Sequence, residues 1–112
     1  MARKTRLAIW FSGAAERDLS DIWDWNAATY GITRADRYRD FLLSRIGALA
    51  DFPLIGAVVK ERLGYRRLHL VKRSGGHGHI AFYRIDNGRV EVARVLHTAQ
   101  NWMDHLKDSD DA

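Results

Sequence analysis

Asn87-Gly88, set between two runs of strand-forming residues, constrains this chain more than any other feature. Asn-Gly favours positive φ at both central positions of a two-residue loop, so residues 79–85 and 89–97 (RVEVARVLH) form a hairpin in which Asp86 faces Arg89. Pairing continued outward from that turn sets Ile85 against Val90, Arg84 against Glu91, Tyr83 against Val92, Ala81 against Arg94 and Gly78 against His97. Residues directly opposite share a face. One face then carries Tyr83, Ile85, Val90, Val92, Arg94 and Leu96, and the other carries Ile80, Phe82, Ala93 and Val95. Both are largely apolar, so the last strand is expected inside a sheet that is covered on both sides. Arg94 is the long charged side chain left in its middle.

The rest of the chain must supply that cover within 112 residues. This length suits a single domain that buries roughly 65% of its unfolded surface, with residues 1–6 and 107–112 expected to fray. No apolar run approaches the ~20 residues that span a bilayer, and the basic start lacks an apolar stretch with a cleavage site, so a cytoplasmic location is expected. Without cysteine there are no disulfides, thiolate metal sites or cysteine nucleophiles. The formal charge of +4 is uneven. Between Lys60 and Arg94 nine basic side chains stand against three acidic ones, whereas the tail Asp108, Asp110, Asp111 is acidic. A basic sheet implies an anionic partner, either nucleic acid or an acidic protein segment.

Residues 7–11 are apolar and strand-compatible, and Ser12 is a good N-cap for a helix directly after them. From Ala14 to about Ala28, Ala15, Leu19, Ile22 and Trp23 recur at helical spacing, with Trp25 at the stripe's edge. Gly31 closes that helix and Thr33 is placed to cap a second from Arg34 to about Asp51, which buries Ala35, Tyr38, Leu42, Ile46 and Leu49 and stops at Pro53. Two helices so closely joined form an antiparallel hairpin. Residues 53–64 read as a loop with an extended piece around Val58, residues 65–72 as a strand, and residues 73–76 as a turn. A short final helix over residues 99–106, capped by Thr98, is also compatible. The expected fold is α+β, a helical hairpin on one face of a mostly antiparallel four-stranded sheet in the order β-α-α-β-β-β.

That order, with particular residues at particular places, resembles the ParE branch of the RelE/ParE superfamily of toxin–antitoxin toxins. The resemblance runs through Ser12, residues 15–23, Ala35-Asp36-Arg37-Tyr38, Phe52-Pro53-Leu54-Ile55-Gly56, Gly64-Tyr65-Arg66-Arg67-Leu68, Phe82-Tyr83-Arg84 and Arg94-Val95-Leu96-His97. It implies a small toxin silenced by a cognate ParD-like antitoxin. In the ParE branch the target is DNA gyrase, trapped on cleaved DNA, and in the RelE branch it is mRNA on the ribosome. The chain departs from the usual pattern after Ala99, where it reads Gln100-Asn101-Trp102-Met103-Asp104. A toxin fold that has lost toxicity and serves as a binding or co-repressor module is a further alternative.

Each candidate side chain also has a structural explanation. Arg94 either reaches, with Arg67 and Tyr83, towards an anionic partner or pairs with a local carboxylate, because a buried unpaired guanidinium is prohibitive. Arg84 has Glu91 opposite it as an ion-pair partner. Arg66 and Arg67 point to opposite faces, and Arg67 shares its face with His69. His77, His79, His69 and His97 lack a carboxylate at ligand-like spacing, and the register sets His79 and His97 on opposite faces, so no metal or other cofactor is expected. RNA cleavage needs a base for the 2′-OH, an acid for the leaving oxygen and cations for the phosphate. Arg67, Arg94 and His97 would cover part of that set, without a tyrosine after Tyr83. The expected binding set for target or antitoxin is therefore Arg66, Arg67, Tyr83, Arg84, Arg94, His97 and Trp102, with Trp10 and Trp102 marking an uncovered side of the sheet where an antitoxin helix would dock.

Overall fold

The computed structural model describes residues 6–72 and 78–109, and side chains to Leu106. The turn expected at residues 73–76, His77, the first five residues and residues 110–112 lie outside that description. Five strands form one sheet: β1 (Ala8–Phe11), β2 (Ala57–Val58), β3 (Arg66–Leu70), β4 (His79–Asp86) and β5 (Arg89–His97). Their spatial order is β1-β5-β4-β3-β2. β1 runs parallel to β5 and the other pairings are antiparallel. The extended piece around Val58 is thus a fifth strand. The longest and most apolar strands occupy the interior, while the edges are short strands of four and two residues.

Helices α1 (Gly13–Tyr30) and α2 (Ile32–Gly47) form the expected hairpin, continued by a 3-10 turn over Ala48–Ala50. Ser12 caps α1 by accepting from the Ala15 N–H at 3.0 Å. Thr33 does not cap α2. That role falls to Gly31, whose φ of +96° suits glycine and whose carbonyl accepts from the Ala35 N–H. Trp23 Nε1 donates to Asp36 Oδ1 at 2.8 Å and locks the two helices together. Against their inner face pack Leu68, Leu70, Ala81, Tyr83, Val90, Val92 and Val95.

The opposite face is not uncovered. Its apolar half, Ile80, Phe82, Ala93 and Leu96, packs with Val59, Tyr65 and Leu106. Leu106 belongs to α3 (Trp102–Ser109), which starts three residues later than Thr98 capping would require. Trp102 stacks on Phe82 with ring centroids 5.2 Å apart. The chain's own C-terminal helix therefore supplies the cover that the two-sided apolarity of β5 demanded. Among the described residues no helix is long and apolar enough to cross a membrane.

Candidate functional site

The hairpin register holds from the Asn87-Gly88 turn to Tyr83↔Val92 and then shifts by one. Ala93 is an extra residue, so Phe82, not Ala81, lies opposite Arg94, and His79, not Gly78, lies opposite His97. Beyond the bulge Val95 turns to the helical hairpin and Leu96 to α3, the reverse of the simple alternation. The bulge has a clear local cause. β1 ends opposite Val92, and past that point α1 takes over the edge of β5. Ser12 donates its hydroxyl to the Ala93 carbonyl at 2.7 Å, and Asp18 Oδ2 accepts from the Val95 N–H at 2.9 Å. Arg94 is drawn into the same arrangement. Its Nε and Nη2 each lie 2.8 Å from an Asp18 oxygen, and Nη1 donates to the His105 carbonyl of α3 at 3.1 Å. Both side chains of this bidentate pair are nearly buried, 13% and 12% exposed. Arg94 thus has a structural role in joining β5, α1 and α3.

Tyr83 is likewise built into the fold. Its hydroxyl donates to the Pro53 carbonyl at 2.7 Å and accepts from the Gly56 N–H at 3.0 Å, pinning the loop that leads into β2. Burial raises its pKa, so the phenol stays protonated. Arg66 completes the clamp by donating to the Gly56 carbonyl at 2.8 Å. A Cβ on Gly56 would stand 2.6 Å from the Tyr83 hydroxyl and 2.8 Å from the Arg67 carbonyl. Gly56→Ala is therefore expected to cost about 1–2 kcal/mol through overpacking. A melting temperature unchanged from wild type would contradict that close approach.

The remaining candidates divide between the two faces of the sheet. On the α3 side, Arg84 and Arg89 share Glu91 at 3.6 and 3.7 Å, so the cross-strand pair read from the sequence is present but loose. Arg62 and Arg84 lie against the Tyr65 ring, and Arg89 lies 3.8 Å from the centroid of Trp10. Arg67 stands opposite Phe82 on the same face. On the helical side the bulge brings His79 and His97 together, their rings edge-on at 5.3 Å. Tyr38 Oη is 2.6 Å from His79 Nδ1. Burial first, and then the neighbouring His97, lower His79 to about 4, while the Asp18 charge works the other way. His79 is therefore neutral at pH 7 and hydrogen-bonds the Tyr38 hydroxyl through Nδ1. His97 Nδ1 accepts from the Ala99 N–H at 3.1 Å. Among the described residues no group of three His, Asp or Glu is placed to hold a metal.

Sequence reasoning missed Asp18, Tyr38, Arg89 and the pairing of the two histidines. The signal for Asp18 was weak, an acidic residue in the second turn of a helix following a strand. The histidine pair depended on the bulge, which Ala93 does not announce.

This arrangement can be set beside known proteins. Residues 9–102 match the model of the ParE toxin of type II toxin–antitoxin systems, parDE. Toxin ParE1 of Caulobacter vibrioides is 38% identical over 96 residues, covering 85% of this chain and 93% of that protein. Toxin ParE1 of Mycobacterium tuberculosis is 39% identical over 88 residues, covering 77% and 84%. A solved structure described as a chromosomal ParDE TA system from P. aeruginosa has the same fold, with a TM-score of 0.70, 19% identity and coverage of 82% of this chain and 96% of that one. With a family match across nearly all the described fold and relatives above the one-third identity level, the chain belongs to the ParE toxin family of type II toxin–antitoxin systems.

Proposed function

We propose that this ParE-type toxin acts in the cytoplasm by binding DNA gyrase and holding its cleaved DNA complex, with no bond-breaking chemistry of its own, and that a ParD-like antitoxin neutralises it. The observation that carries the binding reading is the separation of the acid–base groups from the guanidiniums. Tyr38, His79 and His97 sit on the helical side, where the ammonium of Lys72 lies 6.0 Å from the Tyr38 ring. Arg62, Arg67, Arg84 and Arg89 sit on the α3 side. One scissile phosphate cannot be reached by both groups at the ~3 Å that general acid–base catalysis and charge stabilisation require. Arg94, engaged with Asp18, is not poised to bridge them. An mRNA interferase of RelE type is the weaker reading for the same reason.

The antitoxin's docking area is best supplied by apolar side chains that remain exposed around the outer edge of β2. Leu54, Ile55, Val58 and Leu63 are each more than half exposed, and an edge strand accepts an added strand through its free backbone groups.

Purified toxin added to gyrase, ATP and supercoiled plasmid is expected to accumulate linear DNA after denaturation, and prior addition of the antitoxin encoded beside it should abolish the effect. No cleaved DNA at any toxin-to-gyrase ratio sinks the target assignment. Codon-phased cuts in translated mRNA would replace it with the interferase reading.

A further inference from the structure

The α3 helix covers only part of its face of the sheet. The part nearer the Asn87-Gly88 turn carries one row of residues: Trp10, Glu91 and Arg84 lie in register across three strands, and Tyr65, just before β3, lies against the Arg84 guanidinium. Around that row stand Arg62, Arg67 and Arg89. Strands spaced ~4.8 Å apart make the row about 14 Å long, the rise of roughly four nucleotides of one strand at ~3.4 Å each.

Three details of this surface are unexplained by folding. The Arg67 guanidinium meets no carboxylate among the described residues, and its Nε is buried without a hydrogen-bond partner, which ordinarily costs stability. Arg84 and Arg89 divide one carboxylate between them at long range, 3.6 and 3.7 Å, and among the described residues no other carboxylate pairs with either. Trp10 is 54% exposed, with the Arg89 guanidinium lying over its ring.

We propose that this open half of the sheet is a nucleic-acid surface, in which Arg62, Arg67, Arg84 and Arg89 engage a phosphodiester strand and Trp10 stacks on a base. The guanidinium fork matches phosphate oxygens in pairs, and an exposed indole is a sequence-tolerant stacking platform. An acidic peptide helix would need an aliphatic groove as well as charge. Of the exposed aliphatic side chains, Leu54, Ile55 and Val58 lie around β2, Ile32 and Leu43 belong to the helical hairpin, and Ile85 shares the helical face of β4 with Tyr83; Leu63, beside Arg62, is a single side chain and no groove. The gyrase reading identifies the strand as the DNA opened in the cleaved complex, and the proposal rests on that reading only for this identification. The surface itself follows from its chemistry.

The test needs no gyrase. Fluorescence anisotropy of a labelled 12-nucleotide single strand, the matching duplex, an RNA of the same sequence and a poly-glutamate peptide is followed during titration with the full chain at several salt concentrations. Single-stranded DNA is expected to bind with a log–log salt slope of about −2 to −3, corresponding to three or four phosphates. Arg84→Glu with Arg89→Glu should weaken binding ~10-fold or more and flatten the slope by ~1–2. Arg37→Glu with Arg45→Glu, the same charge change on exposed positions of α2, should leave it within about 3-fold. Trp10→Ala should weaken binding ~5-fold or more with the slope unchanged, which separates stacking from charge. Each variant's fold is checked by its thermal melt. Preference for duplex or RNA would keep the surface and change the strand it serves. The proposal is overturned by the absence of nucleic-acid binding at low salt, by equal losses in the two double variants, or by poly-glutamate binding as tight as DNA. A chain that binds DNA yet leaves gyrase cleavage unchanged overturns the gyrase reading alone.

Discussion

Asp18→Ala is expected to destabilise the protein by about 3–5 kcal/mol, the range for breaking a buried ion pair by removing one partner, and so to lower the melting temperature by roughly 15–25 °C. Two losses combine in that figure. Arg94 keeps its desolvated position between α1 and α3 but loses both carboxylate bonds, and the Val95 N–H loses its acceptor at the point where the bulge has taken it out of the ladder. Arg94→Met should cost a comparable amount, because it leaves the Asp18 carboxylate facing the sheet edge. The double variant Asp18→Ala with Arg94→Met should recover a substantial part, since neither charge is then stranded. Additive single losses in the double variant would mean that the pair is not coupled. The same variants bear on function. If Arg94 serves the fold, the double variant, once folded, retains growth arrest in cells; if it contacts the target, toxicity is lost although stability returns.

How much of this was legible beforehand depended on whether the controlling interaction was local. The Asn87-Gly88 turn sets its own register, so the four pairs nearest to it were readable, as was the loose Arg84–Glu91 contact. Ser12 was readable as a cap for the same reason. The bulge at Ala93 was not, because its cause lies 81 residues away in sequence, where the Ser12 hydroxyl takes the Ala93 carbonyl. Every placement beyond the bulge inherited that one-residue error, which reversed Val95 and Leu96 and separated His79 from His97. The cover of the second face was legible as a requirement but not as an identity. Apolarity on both sides of β5 demanded a partner, and α3, with Leu106 buried and Trp102 stacked on Phe82, supplied it from within the chain. Among the candidate residues, Arg94 and Tyr83 drew attention for the property that makes them structural. A charged or phenolic group inside an apolar strand must find a partner, and here these partners are Asp18 and the loop from Pro53 to Gly56. Arg67, Arg84 and Arg89 have less of the fold around them, and the basic character read from the sequence survives on their side of the sheet.

Mild acid should weaken the protein through His79. Its folded-state pKa is lowered from 6.5 to about 4, chiefly by burial and secondarily by His97, against the opposing charge of Asp18. A histidine that resists protonation when folded contributes fully to stability above its unfolded pKa. As pH falls from 6.5 towards 4, the unfolded chain takes up a proton that the folded chain refuses, and stability declines through that window. At ~1.36 kcal/mol per pKa unit the full span would approach ~3 kcal/mol. Because His79 is only partly shielded from water, about 2 kcal/mol by pH 4.5 is the expected magnitude. Carboxylates elsewhere also titrate there, so the measurement is a difference: chemical denaturation of wild type and His79→Gln between pH 7.5 and 4.5. Glutamine keeps a hydrogen-bonding group for the Tyr38 hydroxyl and cannot be protonated in this range, so its stability should fall less steeply than wild type, with the two curves converging or crossing towards pH 4.5. Parallel curves would show that His79 titrates alike in both states and that burial does not hold it neutral. Since His79 links α2 to β4 and touches His97 at the end of β5, loss of that contact in acid should loosen the chain first where the helical hairpin meets the end of the sheet. Amide exchange at Leu96 and His97 should therefore accelerate before exchange at Val90 and Val92, which lie on the turn side of the bulge.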